Sequence, residues 1–151
     1  MTSIIKVDQI QTAAGTDAFI FNGDGISTSP ARPSFMARKE SSTNQAVVTD
    51  WSSVDHNIGN HFNTSTGLFT APVNGTYLFV VTGGGSASRA DIYVNGTRRA
   101  RHESNGNADY WGSTQCIAYM TSGQTAYINT ASVSVILGGS GQGGFGGVLI
   151  G

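Results

Sequence analysis

Charge is the scarcest feature of this sequence: only 11% of its 151 residues are Asp, Glu, Lys or Arg, and the net charge is −1. Globular chains usually carry about a quarter. A chain this close to neutral gives no electrostatic case for nucleic acid as a partner, nor for an anionic membrane surface. A single cysteine, Cys116, excludes an internal disulfide. It reads as a small buried hydrophobe, because no helix N-terminus or nearby histidine is present to activate a thiol. The start of the chain has no apolar run of roughly seven residues, so no secretory signal is expected. No stretch reaches the length of a membrane span, so no insertion is expected either. Helical periodicity is missing over residues 34–151.

Catalytic signatures are lacking as well. There is no G-x-S-x-G, no H-E-x-x-H and no carboxylate pair at a meaningful spacing. The reading is therefore a protein that is not an enzyme and needs no cofactor. The glycine runs Gly83-Gly84-Gly85 and Gly138 to Gly147 precede no helix, so they cannot cradle a phosphate. They fit loops or places where backbones approach closely. Asp55, His56 and His61 could meet only in a loop, and no calcium-loop spacing occurs. No metal site is assigned, although calcium stays open.

What is abundant is glycine, 21 residues, together with Ser, Thr and Asn. Strand-like runs recur between turn clusters at intervals of about eight to twelve residues, the pattern of an all-β sandwich or barrel. They are PSFMAR, QAVVTD, GLFTAP, TYLFVVT, ADIYV, TRRARHE, STQCIAYM, TAYIN, SVSVIL and GVLIG. Asn95-Gly96 between ADIYV and TRRARHE is the favoured pair for a two-residue hairpin, since both positions need positive φ. Asp91 and Tyr93 then share one face, with Ile92 and Val94 on the other.

Residues 1–33 read differently. IIKVDQI and AFIF are two short strand patterns separated by Ala13 to Thr16. Asn22-Gly23-Asp24-Gly25 is a turn, and Ser29-Pro30-Ala31-Arg32-Pro33 is a linker. So few strands cannot bury themselves and need a partner. The expected organisation is an N-terminal attachment or trimerisation segment over 1–33 and one β domain over 34–151.

Two features suggest binding surfaces. Tyr77-Leu78-Phe79-Val80-Val81 is apolar without alternation, as in a strand covered on both sides. Val148-Leu149-Ile150 reads the same way. Tyr77, Phe79, Val81, Val148 and Ile150 are therefore candidates for an interface between subunits. Arg98, Arg99 and Arg101 form the one charge-dense stretch and could grip an acidic glycan or another protein by forked hydrogen bonds. Tyr110 and Trp111 follow a Gly/Asn-rich loop and could stack on a sugar.

Three blocks carry a family resemblance. Phe62 to Val81 reads FNTSTGLFTAPVNGTYLFVV, with Ser65-Thr66-Gly67, Phe69, Ala71-Pro72, Gly75, Tyr77 and Phe79 in the order found in the complement C1q-like, tumour-necrosis-factor-like family. Phe145-Gly146-Gly147-Val148-Leu149-Ile150 resembles its closing strand, and Met120 to Ile128 resembles its L-x-x-G-D-x-V-x-V hairpin, with Gln124 where Asp is common. The resemblance implies a ten-strand jelly-roll sandwich, a homotrimer and a binding role. Ser3 to Gly15 resembles leaders of bacteriophage fibre and appendage proteins. This implies a virion location, attachment to other virion proteins through residues 1–33, and host-surface binding, to a cell-surface glycan for example, or particle stabilisation. A free soluble lectin-like binder is the alternative.

Overall fold

The computed structural model describes residues 7–85, 88–104, 111–130, 135–137 and 144–151. It separates into two units, Met1–Arg32 and Pro33–Gly151.

The first unit is a three-stranded antiparallel sheet of β1 (Gln9–Gln11), β2 (Asp17–Phe21) and β3 (Ser27–Thr28). Turn chemistry shapes it. Asn22 Oδ1 accepts hydrogen bonds from the Asp24 and Ile26 amides at 3.1 and 2.8 Å, which closes the β2–β3 turn around Gly25 at φ 77°. Ile10 lies opposite Phe19 across β1 and β2, and Phe21 shares that face of β2. All three are exposed, as are Val7 and Ile26. This unit buries little of its own apolar surface.

The second unit stacks two antiparallel sheets as a jelly-roll sandwich. Its strands are β4 (Ser34–Thr43), β5 (Ser53–Ile58), β6 (Phe62–Asn63), β7 (Leu68–Thr70), β8 (Gly75–Gly84), β9 (Arg89–Val94), β10 (Thr97–Glu103), β11 (Trp111–Met120), β12 (Thr125–Asn129), β13 (Val135–Leu137) and β14 (Gly144–Leu149). One sheet runs β5-β4-β14-β8-β11, with the short β13 also seated between β4 and β8 beyond the start of β14. The other runs β10-β9-β12-β7-β6. This unit has eleven strands among the described residues, against the ten that the resemblance implies.

Aromatic rings fill the space between the sheets. Phe35 stacks on Phe62 with centroids 4.5 Å apart, and meets Phe69 at 5.2 Å and Phe145 edge-on at 5.0 Å. Tyr77 and Phe79 continue the chain of rings through Phe69. The Tyr77 hydroxyl donates to the Val73 carbonyl at 2.9 Å, which anchors the turn into β8, and burial raises its pKa. Gly147 is where the rings come closest to backbone: a Cβ there would sit 2.6 Å from Phe79 and 2.7 Å from Phe35.

One expected strand is not formed. QAVVTD, residues 45–50, is a loop folded onto the sandwich end. Val48 is buried, and its amide donates to the Ile128 carbonyl. The Lys39 ammonium donates to the Thr49 and Asp50 carbonyls at 2.9 and 3.0 Å, and the Trp51 indole N–H donates to the Val48 carbonyl. Side chains thus satisfy backbone groups that a ladder would otherwise take. Asp50 at φ 55° also ends any extended run. The next strand, Ser53–Ile58, is a polar edge strand whose sequence, SVDHNI, has too few apolar residues to signal one.

The chain enters this unit at Pro33 beside its own C-terminus, where the Leu149 amide donates to the Pro33 carbonyl and the Thr76 amide to the Gly151 carbonyl. Gly84, Trp111 and Gly144 lie at the opposite end of the strands.

Candidate functional site

Two outward faces have a chemistry of their own, one on each sheet. The first is the outer face of β5-β4-β14-β8-β11. Burial alternates along β8: Tyr77, Phe79 and Val81 point into the sandwich and are fully buried, while Leu78 and Val80 point out and are half-buried. The subunit-interface role expected for Tyr77, Phe79 and Val81 is therefore corrected. Their side chains are spent on the chain's own core, and Leu78 and Val80 are the residues a neighbour could touch. Val148 lies on the outer face opposite Leu78, and Ile150, just beyond β14, is 44% exposed.

Met36, His56, Leu78, Val80, Val148 and the bare backbone of Gly146 line a groove of about 370 Å³ on this face. Across β8 it continues on β11, where Ile117 pairs with Leu78 and Tyr119 with Thr76. Ile117 and Tyr119 are each 66% exposed. A strand presenting two large apolar side chains that openly, beside an apolar groove, is unusual on a surface that meets only water.

The second face belongs to β10-β9-β12. On β9, Ala90, Ile92 and Val94 enter the core, and Arg89, Asp91 and Tyr93 face out. Across the Asn95-Gly96 turn, with φ of 48° and 71°, Arg98 pairs with Tyr93. Arg99 is then the extra residue of a β-bulge, which shifts the register of the rest of β10 by one. Without the bulge Arg101 would oppose Ala90 and point inward; with it Arg101 opposes Asp91 on the outer face.

Asp91 is 0% exposed although it points outward, because arginines cover it. Arg89 donates to Oδ2 through Nε at 3.1 Å and Nη2 at 2.7 Å. Arg101 donates from Nε to Oδ1 at 2.9 Å and from Nη2 to Oδ2 at 3.3 Å, and from Nη1 to Glu103 at 3.2 Å. Burial alone would raise the Asp91 carboxyl; the arginine hydrogen bonds and charges outweigh it and hold the group below the usual carboxylate range. The bond to Asp91 raises Arg101 in turn. Arg98 comes only to 3.8 Å of Asp91 and stays 47% exposed. In the next row Tyr93 stacks on Tyr127 of β12 at 5.3 Å.

The structure separates the expected ligand residues. Arg98 and Arg101 lie on this face. Arg99 is turned away from it and lies near enough to Cys116 on β11 to offset part of the rise that burial gives that thiol. Trp111 lies on the other sheet, packed over Gly84, where a Cβ would come 2.4 Å from the indole. Tyr110 lies outside the described residues. Nothing in the sequence joins Asp91 to the arginines, or Tyr127 to Tyr93; only the register brings them together. Among the described residues, no three His, Cys, Asp or Glu side chains cluster to hold a metal. His56 is on β5, and His61 lies between β5 and β6.

Comparison with known proteins fits this geometry. The globular domain of zebrafish complement 1qA superposes with a TM-score of 0.63 at 15% identity, over 79% of this chain and 98% of that one. Murine APRIL superposes at 0.59 and 15% identity, over 79% and 99%. The Eiger tumour necrosis factor of S. frugiperda superposes at 0.59 and 11% identity, over 80% and 92%. A search among curated proteins finds no match. Residues 34–150 match the C1q domain model, which spans most of the chain, and on this evidence the protein belongs to the C1q domain family.

Proposed function

We propose that this protein is a homotrimeric, non-enzymatic binding and structural module carried on a bacteriophage particle, as a fibre, appendage or capsid decoration protein. The single observation that carries the trimer is the uncovered apolar face around Met36, Leu78, Val80, Val148, Ile117 and Tyr119. Removing several hundred Å² of it per subunit from water, at roughly 25 cal/mol per Å², contributes on the order of 10 kcal/mol before the entropic cost of association. Three copies around a three-fold axis give each such face an identical partner surface and close the assembly.

The virion location rests on the leader Ser3 to Gly15 and on the exposed Ile10, Phe19 and Phe21 of the N-terminal sheet. That sheet leaves its apolar side chains exposed, which suits a segment that attaches to other virion proteins through residues 1–33. The sandwich then serves host-surface binding or particle stabilisation. The test is protein identification by mass spectrometry in gradient-purified particles. The chain should be present in a small integral multiple of three copies per particle; particles that lack it overturn the virion reading and leave a free binding protein.

A further inference from the structure

Half of the chain's eight cationic residues, Arg89, Arg98, Arg99 and Arg101, sit on one hairpin. In the rest of the second unit, Lys39 is buried on carbonyls and Arg38 is paired with Asp55 at 2.6 Å. The outer face of β10-β9-β12 is thus the unit's cationic surface, with three arginines against Asp91 and Glu103. Asp91 is already saturated: it holds Arg89 and Arg101 rigidly and leaves Arg98 with no hydrogen bond among the described residues. Arg98, 47% exposed and only 3.8 Å from Asp91 as an ion pair, keeps the fork of donors that a carboxylate matches with two parallel bonds. The neighbouring row is Arg98, Tyr93, Tyr127 across three strands, so two half-buried aromatic rings adjoin it.

We propose that this face is a docking site for an acidic saccharide, its carboxylate taken by Arg98 and its apolar ring face set against the Tyr93–Tyr127 pair. The proposal rests on the binding-module reading and names its ligand class. A sugar is favoured over an acidic peptide because the aromatic half of the site, Tyr93 on β9 and Tyr127 on β12, lies on interior strands that offer only side chains. Extended peptides are held chiefly by backbone hydrogen bonds at a sheet edge, and those contribute nothing to aromatic contact.

The full chain would be titrated by biolayer interferometry with immobilised oligogalacturonate, oligoguluronate and polysialate. Methyl-esterified oligogalacturonate and a polyglutamate peptide serve as comparisons, and light scattering is run on the same sample. The expected result is binding to at least one acidic saccharide, lost on esterification and weakened by salt. Arg98→Ala should weaken it about tenfold, the scale of one charge-assisted hydrogen bond. Arg98→Lys should recover only part, and Tyr127→Ala should weaken it several-fold. Arg38→Ala, on the other sheet, should leave it unchanged. No binding to any of the three saccharides, equal binding of the ester, an unaffected Arg98→Ala variant, or equally tight binding of polyglutamate would each overturn the site. A trimer that binds no saccharide overturns this proposal alone, whereas a monomer removes the assembly reading instead.

Discussion

Asp91 is the group whose removal the structure penalises most specifically. Its carboxylate is fully buried and accepts four hydrogen bonds from Arg89 and Arg101. Taken one by one, four charged hydrogen bonds of about 1.5–3 kcal/mol would sum to about 6–12 kcal/mol, as much as the net stability of a whole domain. Part of that is offset by the cost of desolvating the carboxylate. The better guide is the roughly 3–5 kcal/mol lost when one partner of a buried pair is removed. Here the arginine side chains keep 20%, 31% and 47% of their exposure, so water takes up some of the orphaned charge. Asp91→Ala should therefore lose about 2 kcal/mol at pH 7, read from urea unfolding at fixed protomer concentration with an unchanged m-value.

The pH dependence has a definite sign. The folded carboxyl lies below its ordinary value, near 3.9 in an unfolded chain. Its contribution is complete above that unfolded value and is lost as pH falls through the folded one. The gap between wild type and Asp91→Asn should thus be constant from about pH 5 to 8 and should close below about pH 4. A loss under 0.5 kcal/mol at pH 7, or a gap that widens in acid, would refute the assignment of Asp91 as the anchor of this face.

Other outcomes can be checked on the same samples. Gly147→Ala drives a methyl into Phe79 and Phe35 and should cost about 1–3 kcal/mol by overpacking, visible as a lower Tm. Phe35→Ala removes the ring shared by Phe62, Phe69 and Phe145 and should cost about 3–5 kcal/mol, so most of the population unfolds in mild urea; a loss near 1 kcal/mol would contradict the aromatic core. Gly96→Val forces a β-branched residue to φ 71° and should cost about 1–2 kcal/mol. Because this turn sets the Arg98 register, the variant should also change the amide resonances along β9 and β10. Burial raises the Cys116 thiol, so folded protein at pH 8 should react with a thiol reagent more slowly than urea-unfolded protein, and equal rates would place the residue at the surface.

The fold was legible where turn chemistry and apolar spacing agree. Ala71-Pro72 to Gly75 turns the chain into β8, and Asn95-Gly96 makes the tight hairpin, both with residues that suit few other backbones. Parity was harder. In Tyr77 to Val81 every residue is apolar, so the sequence offers no polar partner to mark the outer face, and the side that points inward follows only from the register with β14 and β11. The loop at 45–50 misled because its valines resemble a strand, while its backbone is held by Lys39 from β4 and by Trp51 directly after it. The cationic face depended on a single bulge. Arg99 and Arg101 look equivalent along the sequence, and only the extra residue at 99 turns Arg101 onto Asp91 and Arg99 away from it.

Coverage of the outer face of β8, β14 and β11 by other copies of the chain is the central claim, and light scattering on the full chain measures it directly. A trimer of roughly 47 kDa, three times the 15.7 kDa chain, is predicted, reduced to a folded monomer by Leu78→Asp. A wild-type monomer at micromolar concentration, or a trimer unaffected by Leu78→Asp, would contradict it.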